Sequence, residues 1–171
     1  LPDKRDLAAL ASSRALRSIA GDRHRARWAV SGVEKPLPLF PSMARFEAAP
    51  LLRKPTEGQD IVADYQHTGL TLERHPMCLL RQHLYLYDYK VAMSLPAMRD
   101  GQKINVAGLV ITRQRPGTAS GVTFVTLEDE TGIANVIVWR GAYERFRRAV
   151  VSGRCLRVTG KLQRESGVVQ I

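Results

Sequence analysis

The sequence predicts an α+β protein, with helices in residues 1–101 and a small β-barrel in residues 102–171. Three observations lead to this prediction. Stretches rich in β-branched residues, of which Lys103–Arg113 is the first, alternate apolar and polar side chains, which is typical of strands with one buried face. One stretch with helical spacing, Gly141–Val150, lies among them. The preceding residues instead place apolar side chains at helical spacing and are interrupted by prolines.

The order of these elements narrows the fold of residues 102–171. Three strands, a helix and two further strands form the element order of an OB-fold, a small Greek-key barrel that binds oligonucleotides on one face and on its flanking loops. We therefore predict a five-stranded OB-fold β-barrel, with the chain stopping inside the fifth strand. The strands that follow the first are predicted at Gly121–Leu127, Ile133–Trp139, Cys155–Thr159 and Val168–Ile171.

The charge of the chain points to a polyanion as a partner. Its net charge is +10, from 26 Lys and Arg against 16 Asp and Glu. Counted along the sequence, residues 101–171 hold 11 basic and 5 acidic residues, which gives the predicted barrel a charge of +6. A basic domain of this kind suits DNA, and solubility alone is the alternative explanation.

Cysteine usage and hydropathy predict a cytoplasmic protein. Cys78 and Cys155 are the only two cysteines, and their separation predicts no disulfide framework, as expected in a reducing compartment. No apolar run approaches the length that crosses a bilayer, so the membrane is not an expected partner.

Residues 1–32 are predicted to form a helical hairpin. Gly21 separates two runs with helical spacing, and Asp22 is placed to cap the second helix. Two short helices joined at a glycine resemble a helix-hairpin-helix, which offers backbone N–H groups to a phosphate. On this interpretation Gly21, Arg23 and Arg25 would contact DNA; an ordinary helical hairpin is the alternative.

Residues 33–55 are predicted to be a proline-rich linker, and residues 56–101 a helical connector. Within the connector, Thr56–His67 has helical spacing and Gly69 follows it as a stop signal. His75–His83 is a second predicted helix, with a proline at its first position.

The sequence contains no arrangement that predicts catalysis or a metal site in this chain. Four residues that could ligate a metal lack the short spacings of zinc sites: His67, His75, Cys78 and His83. No nucleotide-binding glycine loop and no Gly-x-Ser-x-Gly elbow occurs. The acidic run Glu128–Glu130 is interpreted as a solvated turn, so we predict no catalytic residue, no metal and no cofactor here.

The usual ligand face of an OB-fold comprises its second and third strands with the loops after the first and fourth. We expect Phe124 to pack in the core, because strand alternation places it opposite the residues assigned to the ligand face. The predicted nucleic-acid contacts of the barrel are Arg113, Arg115, Thr123, Val125, Trp139, Arg140, Lys161 and Arg164.

The stretch VAGLVITRQRPGTASGVTFVTLEDETGIANVIVW, which begins at Val106, resembles the C-terminal OB domain of bacterial family-C DNA polymerases, and within them the error-prone, damage-inducible branch. The stretch DYQHTGLTLERHP, from Asp64 onward, extends the resemblance towards the helices. The resemblance implies a fragment of a bacterial cytoplasmic polymerase that acts in translesion DNA synthesis and damage-induced mutagenesis. It also implies that the parent enzyme uses Mg²⁺ and that its catalytic carboxylates lie in a palm domain outside this chain. The fragment should therefore be inactive alone and should hold single-stranded template or nearby duplex DNA.

The linker holds a second candidate contact. Leu37, Leu39 and Phe40 resemble the Gln-Leu-x-Leu-Phe peptide by which bacterial polymerases dock on the sliding clamp, although Pro36 stands where that peptide has glutamine. The alternative is that Leu39 and Phe40 pack against their own domain. The competing function is therefore a protein-interaction module that docks on the clamp or on other translesion factors, and an OB domain of a tRNA-binding or nuclease accessory protein is a third possibility.

Overall fold

The computed structural model describes residues 2–33, 50–118, 121–165 and 167–171. Contacts between Cα atoms divide the chain into two compact units, Leu1–Glu73 and Arg74–Ile171. Each unit is described by itself. None of the described helices is both long enough and apolar enough to cross a lipid bilayer.

The first unit is helical. Its helices are α1 (Lys4–Ser12), α2 (Arg17–Ala20), α3 (Arg23–Ser31) and α4 (Glu57–Thr68). The segment predicted as a pair of helices therefore contains three. Its interpretation as a helix-hairpin-helix stays a prediction.

Local sequence explains where these helices begin and end. Gly21 ends α2 at φ +84°, a backbone conformation that glycine adopts without a steric penalty. Asp22 caps α3, as predicted, by accepting a hydrogen bond of 3.0 Å from the backbone N–H of Arg25. Thr56 and Gln59 form a capping box at the start of α4, in which the side chain of each residue accepts a hydrogen bond from the backbone N–H of the other.

The core of the first unit is small and contains charge. Its buried apolar cluster is formed by Ala11, Ala26 and Val30. Beside it, the guanidinium of Arg23 is hydrogen-bonded to the carboxylate of Asp64, and both side chains are buried. Because this pair is taken out of water, removal of either partner leaves the other buried without its closest opposite charge.

Three further side chains contribute to the polar network around this pair. The Nη1 atom of Arg14 lies 3.4 Å from Asp64, and its Nη2 atom lies 2.7 Å from the carboxylate of Glu73. Thr71 donates a hydrogen bond of 2.9 Å to Asp64. Burial alone would raise the pKa of Asp64, but the hydrogen bonds from Thr71 and Arg23 and the charges of Arg23 and Arg14 outweigh it and hold that pKa below its ordinary value.

The second unit combines a mixed sheet with two α-helices and one 3₁₀ helix. Helix α5 (Pro76–Leu86) begins with proline at its first position, as predicted, and the 3₁₀ helix spans Ala92–Ala97. Helix α6 (Arg140–Ser152) lies between the third and fourth long strands in sequence. The strands are β1 (Tyr89–Lys90), β2 (Lys103–Gln114), β3 (Thr123–Asp129), β4 (Gly132–Val138), β5 (Cys155–Lys161), β6 (Gln163–Glu165) and β7 (Val168–Gln170).

The sheet differs from the predicted barrel in strand number and in closure. Its hydrogen-bonded order is β1-β2-β3-β4-β7-β6, and β5 pairs with β2 outside this path, so the sheet is not closed. The described residues form seven strands because two short strands were not predicted: β1, which pairs with β2, and β6, which follows β5 after Leu162 and pairs with β7. Leu162 is 0% exposed, which shows that the chain turns inward at this break.

One apolar core fills the space that the sheet encloses. It is formed by Ala92, Leu95, Ile104, Val106, Val125, Leu127, Ala134, Val136, Val150, Leu162 and Ile171. Gly108 lets β2 and β3 approach closely, because a Cβ atom at this position would lie 2.7 Å from the backbone oxygen of Glu128.

The acidic turn after β3 is not the solvated turn that we predicted. Arg81 of α5 is hydrogen-bonded to both Asp129 and Glu130, and Asp129 is 6% exposed. Asp129 also accepts a hydrogen bond of 2.8 Å from the backbone N–H of Ala92. The hydrogen bond that Arg81 donates to Glu130 is the main cause that raises the pKa of Arg81, and the charges of both carboxylates add to it. These carboxylates therefore anchor α5 and the 3₁₀ helix to the turn.

Candidate nucleic-acid interface

The outward face of β3 presents Phe124, Thr126 and Glu128, while Thr123 and Val125 point into the core. Thr123 is 4% exposed and Val125 is 1% exposed, whereas Phe124 is 38% exposed. The predicted assignment of the two faces was therefore wrong. Val125 packs with Leu127 in the apolar core, and a period of two then places Phe124 on the opposite face.

The sequence held a signal that would have identified this face. Thr126 and Glu128 are polar and lie two and four positions after Phe124, on the same face of the strand, whereas Val125 and Leu127 lie on the other face. Strands with one buried face place their polar residues outward. An aromatic residue in a polar row is therefore a better candidate for ligand contact than for core packing.

Strand pairing extends this outward face across three strands. Phe124 lies between Gln114 of β2 and Ile137 of β4 in the register of the sheet. The next row contains Thr126 and Asn135, and the hydroxyl of Thr126 donates a hydrogen bond of 3.3 Å to the Asn135 side chain. We call this surface the Phe124 face. It offers one exposed ring beside side chains that donate and accept hydrogen bonds.

Two predicted arginines meet at one end of the Phe124 face. A Cβ atom placed on Gly121 would lie 3.7 Å from the Cδ atom of Arg140 and 3.8 Å from an Nη atom of Arg115, so both side chains approach this glycine. Arg115 lies over the ring of Tyr143, with 4.3 Å between the guanidinium carbon and the ring centroid. Arg140 donates a hydrogen bond of 2.9 Å to Glu144. Both arginines are exposed, so their charge is available at the surface.

Two other predicted arginines hold the fold together. Arg113 donates a hydrogen bond of 2.7 Å from Nε to the backbone oxygen of Val150 and a second one to that of Gly153, at the end of α6. Arg164 donates a hydrogen bond of 3.0 Å to the backbone oxygen of Met98. Donors that satisfy buried or terminal carbonyls are less free to reach a phosphate.

Trp139 and Lys161, the remaining predicted residues of the sheet, line a cavity of about 610 Å³ between β4, α6 and β5. The indole of Trp139 is 60% exposed, and it directly precedes Arg140, the first residue of α6. These two residues are therefore brought to one groove, although 22 positions separate them in sequence.

The predicted phosphate site of the first unit is only partly exposed. Arg23 is 6% exposed and is bound to Asp64, so its guanidinium cannot reach a phosphate without breaking a buried ion pair. This part of the prediction is corrected. Gly21 and Arg25 are exposed, and the Nε atom of Arg25 lies 3.5 Å from Asp22.

The remaining candidates concern partners and metals. Leu37, Leu39 and Phe40 lie outside the described residues. Among the residues that the structure describes, no three His, Cys, Asp or Glu side chains are grouped so as to hold a metal ion. His75 instead caps α5 by accepting a hydrogen bond of 3.2 Å from the backbone N–H of Met77.

Comparison with known proteins supports the assignment of the sheet. The family model for an OB-fold nucleic acid binding domain matches residues 104–171. Among solved structures, an asparaginyl-tRNA synthetase from Pyrococcus horikoshii, solved with asparaginyl-adenylate, is 26% identical with a TM-score of 0.41, covering 48% of this chain and 20% of that one.

Longer similarities extend over both units. An error-prone DNA polymerase of Methylococcus capsulatus is 48% identical over 169 residues, which is 99% of this chain. An error-prone DNA polymerase of Pseudomonas syringae pv. syringae is 50% identical over 166 residues, which is 97% of this chain. The chain spans 16% of the length of each of these relatives. Nearly the whole chain is thus similar to the C-terminal part of error-prone DNA polymerases, which confirms the predicted resemblance, and residues 104–171 match an OB-fold nucleic acid binding domain.

Proposed function

We propose that residues 102–171 bind DNA, as single-stranded template or nearby duplex, for an error-prone DNA polymerase that acts in translesion synthesis and damage-induced mutagenesis. The observation that carries this proposal is the exposed ring of Phe124 on the outward face of an OB-fold nucleic acid binding domain. The similarity of nearly the whole chain to error-prone DNA polymerases supports the choice of DNA as the nucleic acid.

Phe124 supplies the apolar part of the contact. A base that stacks on an exposed aromatic ring contributes about 1–3 kcal/mol, and every base has a face that can stack. Thr126 and Asn135 lie in the adjacent row and offer hydrogen bonds to base edges or sugars. Because one ring supplies most of this energy, we expect the binding to discriminate weakly between sequences.

Arg115 and Arg140 supply the electrostatic part. Both lie at the end of the sheet that carries Phe124. The Arg115 guanidinium lies over the ring of Tyr143, and its planar set of N–H donors suits a phosphate. A cation that neutralises a phosphate releases a counterion. The logarithm of the binding constant for single strands therefore falls with the logarithm of the salt concentration, with a slope of about 0.7 for each phosphate contact.

The polymerase reaction itself belongs to the proposal for the whole protein. Template-directed nucleotide transfer uses Mg²⁺ to stabilise the attacking and leaving oxygens. Among the described residues of this chain, no cluster of carboxylates or other ligands fits such an ion. We therefore assign no step of the reaction to these residues, and the proposed role of the chain is to hold DNA.

Fluorescence anisotropy of labelled single-stranded and duplex DNA, titrated across salt, tests the proposal. Phe124→Ala should weaken binding to single strands by about 5- to 100-fold, because the stacking energy is lost. Phe124→Tyr, the matched control, keeps the ring and should bind like the parent chain. Arg115→Ala and Arg140→Ala should each lower the salt slope by about 0.7.

Two results would contradict the proposal. One is absence of binding to either form of DNA at low salt, and the other is binding that Phe124→Ala leaves unchanged. A protein partner would then be the better explanation. Salt-tolerant binding to a sliding clamp that is lost when Leu39 and Phe40 are changed to alanine would establish it.

A further inference from the structure

The acidic run Glu128–Glu130 divides into two parts. Arg81 is hydrogen-bonded to Asp129 and Glu130, which ties these two carboxylates to α5. Glu128 lies on the opposite face of β3 from the buried Asp129, and its side chain is 43% exposed. A negative charge therefore stands on the Phe124 face, in a chain whose net charge is +10.

The neighbouring ring of His75 does not neutralise Glu128. The Nδ1 atom of His75 accepts a hydrogen bond from the backbone N–H of Met77, so the ring is neutral and its proton lies on Nε2. This Nε2 atom is buried and lies 4.0 Å from a carboxylate oxygen of Glu128, which is beyond hydrogen-bond distance. The carboxylate therefore keeps its charge and can accept hydrogen bonds from a ligand.

Two aliphatic side chains flank Glu128 in the register of the sheet. Leu109 of β2 and Ile133 of β4 are its partners on the two neighbouring strands. Ile133 is 56% exposed, so an apolar surface lies directly beside the carboxylate. This row suits a flat group that covers an aliphatic side chain and donates hydrogen bonds from its edge. An unstacked nucleobase has this form.

The row of Glu128 lies on the path of a strand that is bound at Phe124. The two residues share one face of β3 and are four positions apart, which is about 13 Å along the strand. Arg115 and Arg140 lie at the Phe124 end of this path and attract phosphates. Because a carboxylate repels phosphates, the strand should approach Glu128 with a base.

The hydrogen-bonding pattern of the bases selects among them. A carboxylate only accepts hydrogen bonds. Guanine offers two parallel donors on its Watson–Crick edge, N1–H and N2–H, which match the two oxygens of one carboxylate. Adenine and cytosine offer one amino group beside a ring nitrogen that repels a carboxylate, and thymine offers one N3–H between two carbonyl oxygens. Glu128 should therefore discriminate most strongly between guanine and thymine.

We infer that Glu128 is a specificity-determining residue of the Phe124 face, which accepts hydrogen bonds from the Watson–Crick edge of a guanine while another base of the same single strand stacks on Phe124. This inference rests on the proposed function, because it adds a base preference to the same surface. A bidentate contact discriminates between bases by a factor of about 5 to 150. We expect the lower end of this range, because solvent reaches a side chain that is 43% exposed.

Two oligonucleotides test the inference on the full chain. One is an oligothymidylate of about 15 nucleotides, which covers the site of one OB-fold, and the other carries a single guanine at its centre. The surrounding thymines fix no register, so the strand can slide until the guanine meets Glu128. Fluorescence anisotropy should show about fivefold tighter binding of the strand with guanine. Inosine in place of guanine lacks the N2 amino group and should remove most of this advantage.

Glu128→Gln should change the binding of the two oligonucleotides in opposite ways relative to each other. The amide has one accepting oxygen and no charge, so the preference for guanine should disappear. The strand made only of thymine should bind more tightly than it binds the parent chain, because a charge that repels its phosphates is gone. Asp88→Asn is the matched control. It removes one negative charge from an exposed residue outside the three strands of the Phe124 face, and it should leave the preference for guanine unchanged.

The outcomes distinguish this inference from the proposed function. If Phe124→Ala weakens both strands but the parent chain does not prefer guanine, the inference is overturned and the proposed function stands. The inference is also overturned if Glu128→Gln tightens both strands equally, since Glu128 would then only repel phosphates. If neither strand binds at low salt, the proposed function fails and the inference fails with it. Loss of the preference in Glu128→Gln, with its retention in Phe124→Ala and Asp88→Asn, would establish the role of Glu128.

Discussion

In the unit Leu1–Glu73 one arginine of the predicted phosphate site, Arg23, is buried, whereas in the unit Arg74–Ile171 two predicted arginines beside the sheet face lie at the surface. Arg23 is 6% exposed and neutralises Asp64, while Arg115 and Arg140 are exposed beside Gly121. The same residue type thus stabilises one unit and is available for a ligand in the other.

The size of the apolar core explains this difference. Among the described residues, the buried apolar cluster of the first unit has three residues, of which two are alanine, whereas the largest cluster of the second unit has eleven. A small apolar core supplies little burial energy, so the fold depends more on the few polar groups that it encloses. Arg81, which binds Asp129 and Glu130, shows that the second unit also uses a buried arginine, but one that anchors α5 rather than its main core.

The largest expected effect is the loss of the buried pair in the first unit. Arg23→Ala leaves Asp64 buried without its closest cation and should cost about 3–5 kcal/mol of unfolding free energy. Arg25→Ala is the matched control. Its partner Asp22 is 3.5 Å away and its side chain is 56% exposed, so the cost should stay below about 1 kcal/mol. Urea unfolding, followed by the fluorescence of Trp28 in a Trp139→Phe background, measures the free energy of unfolding of both variants. Equal losses in Arg23→Ala and Arg25→Ala would contradict the special role of the buried pair.

The second unit should respond more to shape than to charge. Gly108→Ala places a Cβ atom 2.7 Å from the backbone oxygen of Glu128 and 3.0 Å from the Cβ of Leu127. The strands must move apart, at a cost of about 1–3 kcal/mol. Gly117→Ala, where an added Cβ meets nothing within 4 Å, is the control. Unfolding, followed by the fluorescence of Trp139 in a Trp28→Phe background, measures the stability of both variants. If Gly108→Ala is as stable as the parent chain, the argument from close approach is refuted.

The smallest expected effect is the response of the first unit to acid. The pKa of Asp64 is lower in the folded chain than in the unfolded one. Its contribution to the free energy of unfolding is therefore fully present at pH values above the unfolded-state pKa, and it is lost as the pH falls through the folded-state pKa. The loss should be smaller than for Arg23→Ala, because a protonated carboxyl still accepts the hydrogen bond from Thr71.

Asp64→Asn provides the check on this prediction. Unfolding followed by Trp28 between pH 6 and pH 2 should show a shallower pH dependence for this variant than for the parent chain, since the titrating group is gone. An identical pH dependence in the two proteins would mean that another carboxylate accounts for the acid sensitivity of the unit.

The barrel residues show how much of the fold could be predicted from sequence. Period-two alternation in Lys103–Arg113 and helical spacing in Gly141–Val150 correspond to β2 and α6. Alternation shows which residues share a face, and the polar residues on a face indicate that it is the exposed one. Phe124 was assigned to the core on its own apolar character, although Thr126 and Glu128 on its face are polar and Leu127 on the face of Val125 is apolar.

The sequence by itself determined the element order, the caps at Asp22 and Pro76, and the similarity to error-prone DNA polymerases, because each of these depends on residues that are close together in the chain. Only the tertiary structure decided that Arg23 is buried, that Leu162 is buried between β5 and β6, and that Trp139 and Lys161 line one cavity. These features depend on contacts between residues far apart in sequence, and an arginine carries the same charge in the chain whether its partner is a phosphate or a buried carboxylate.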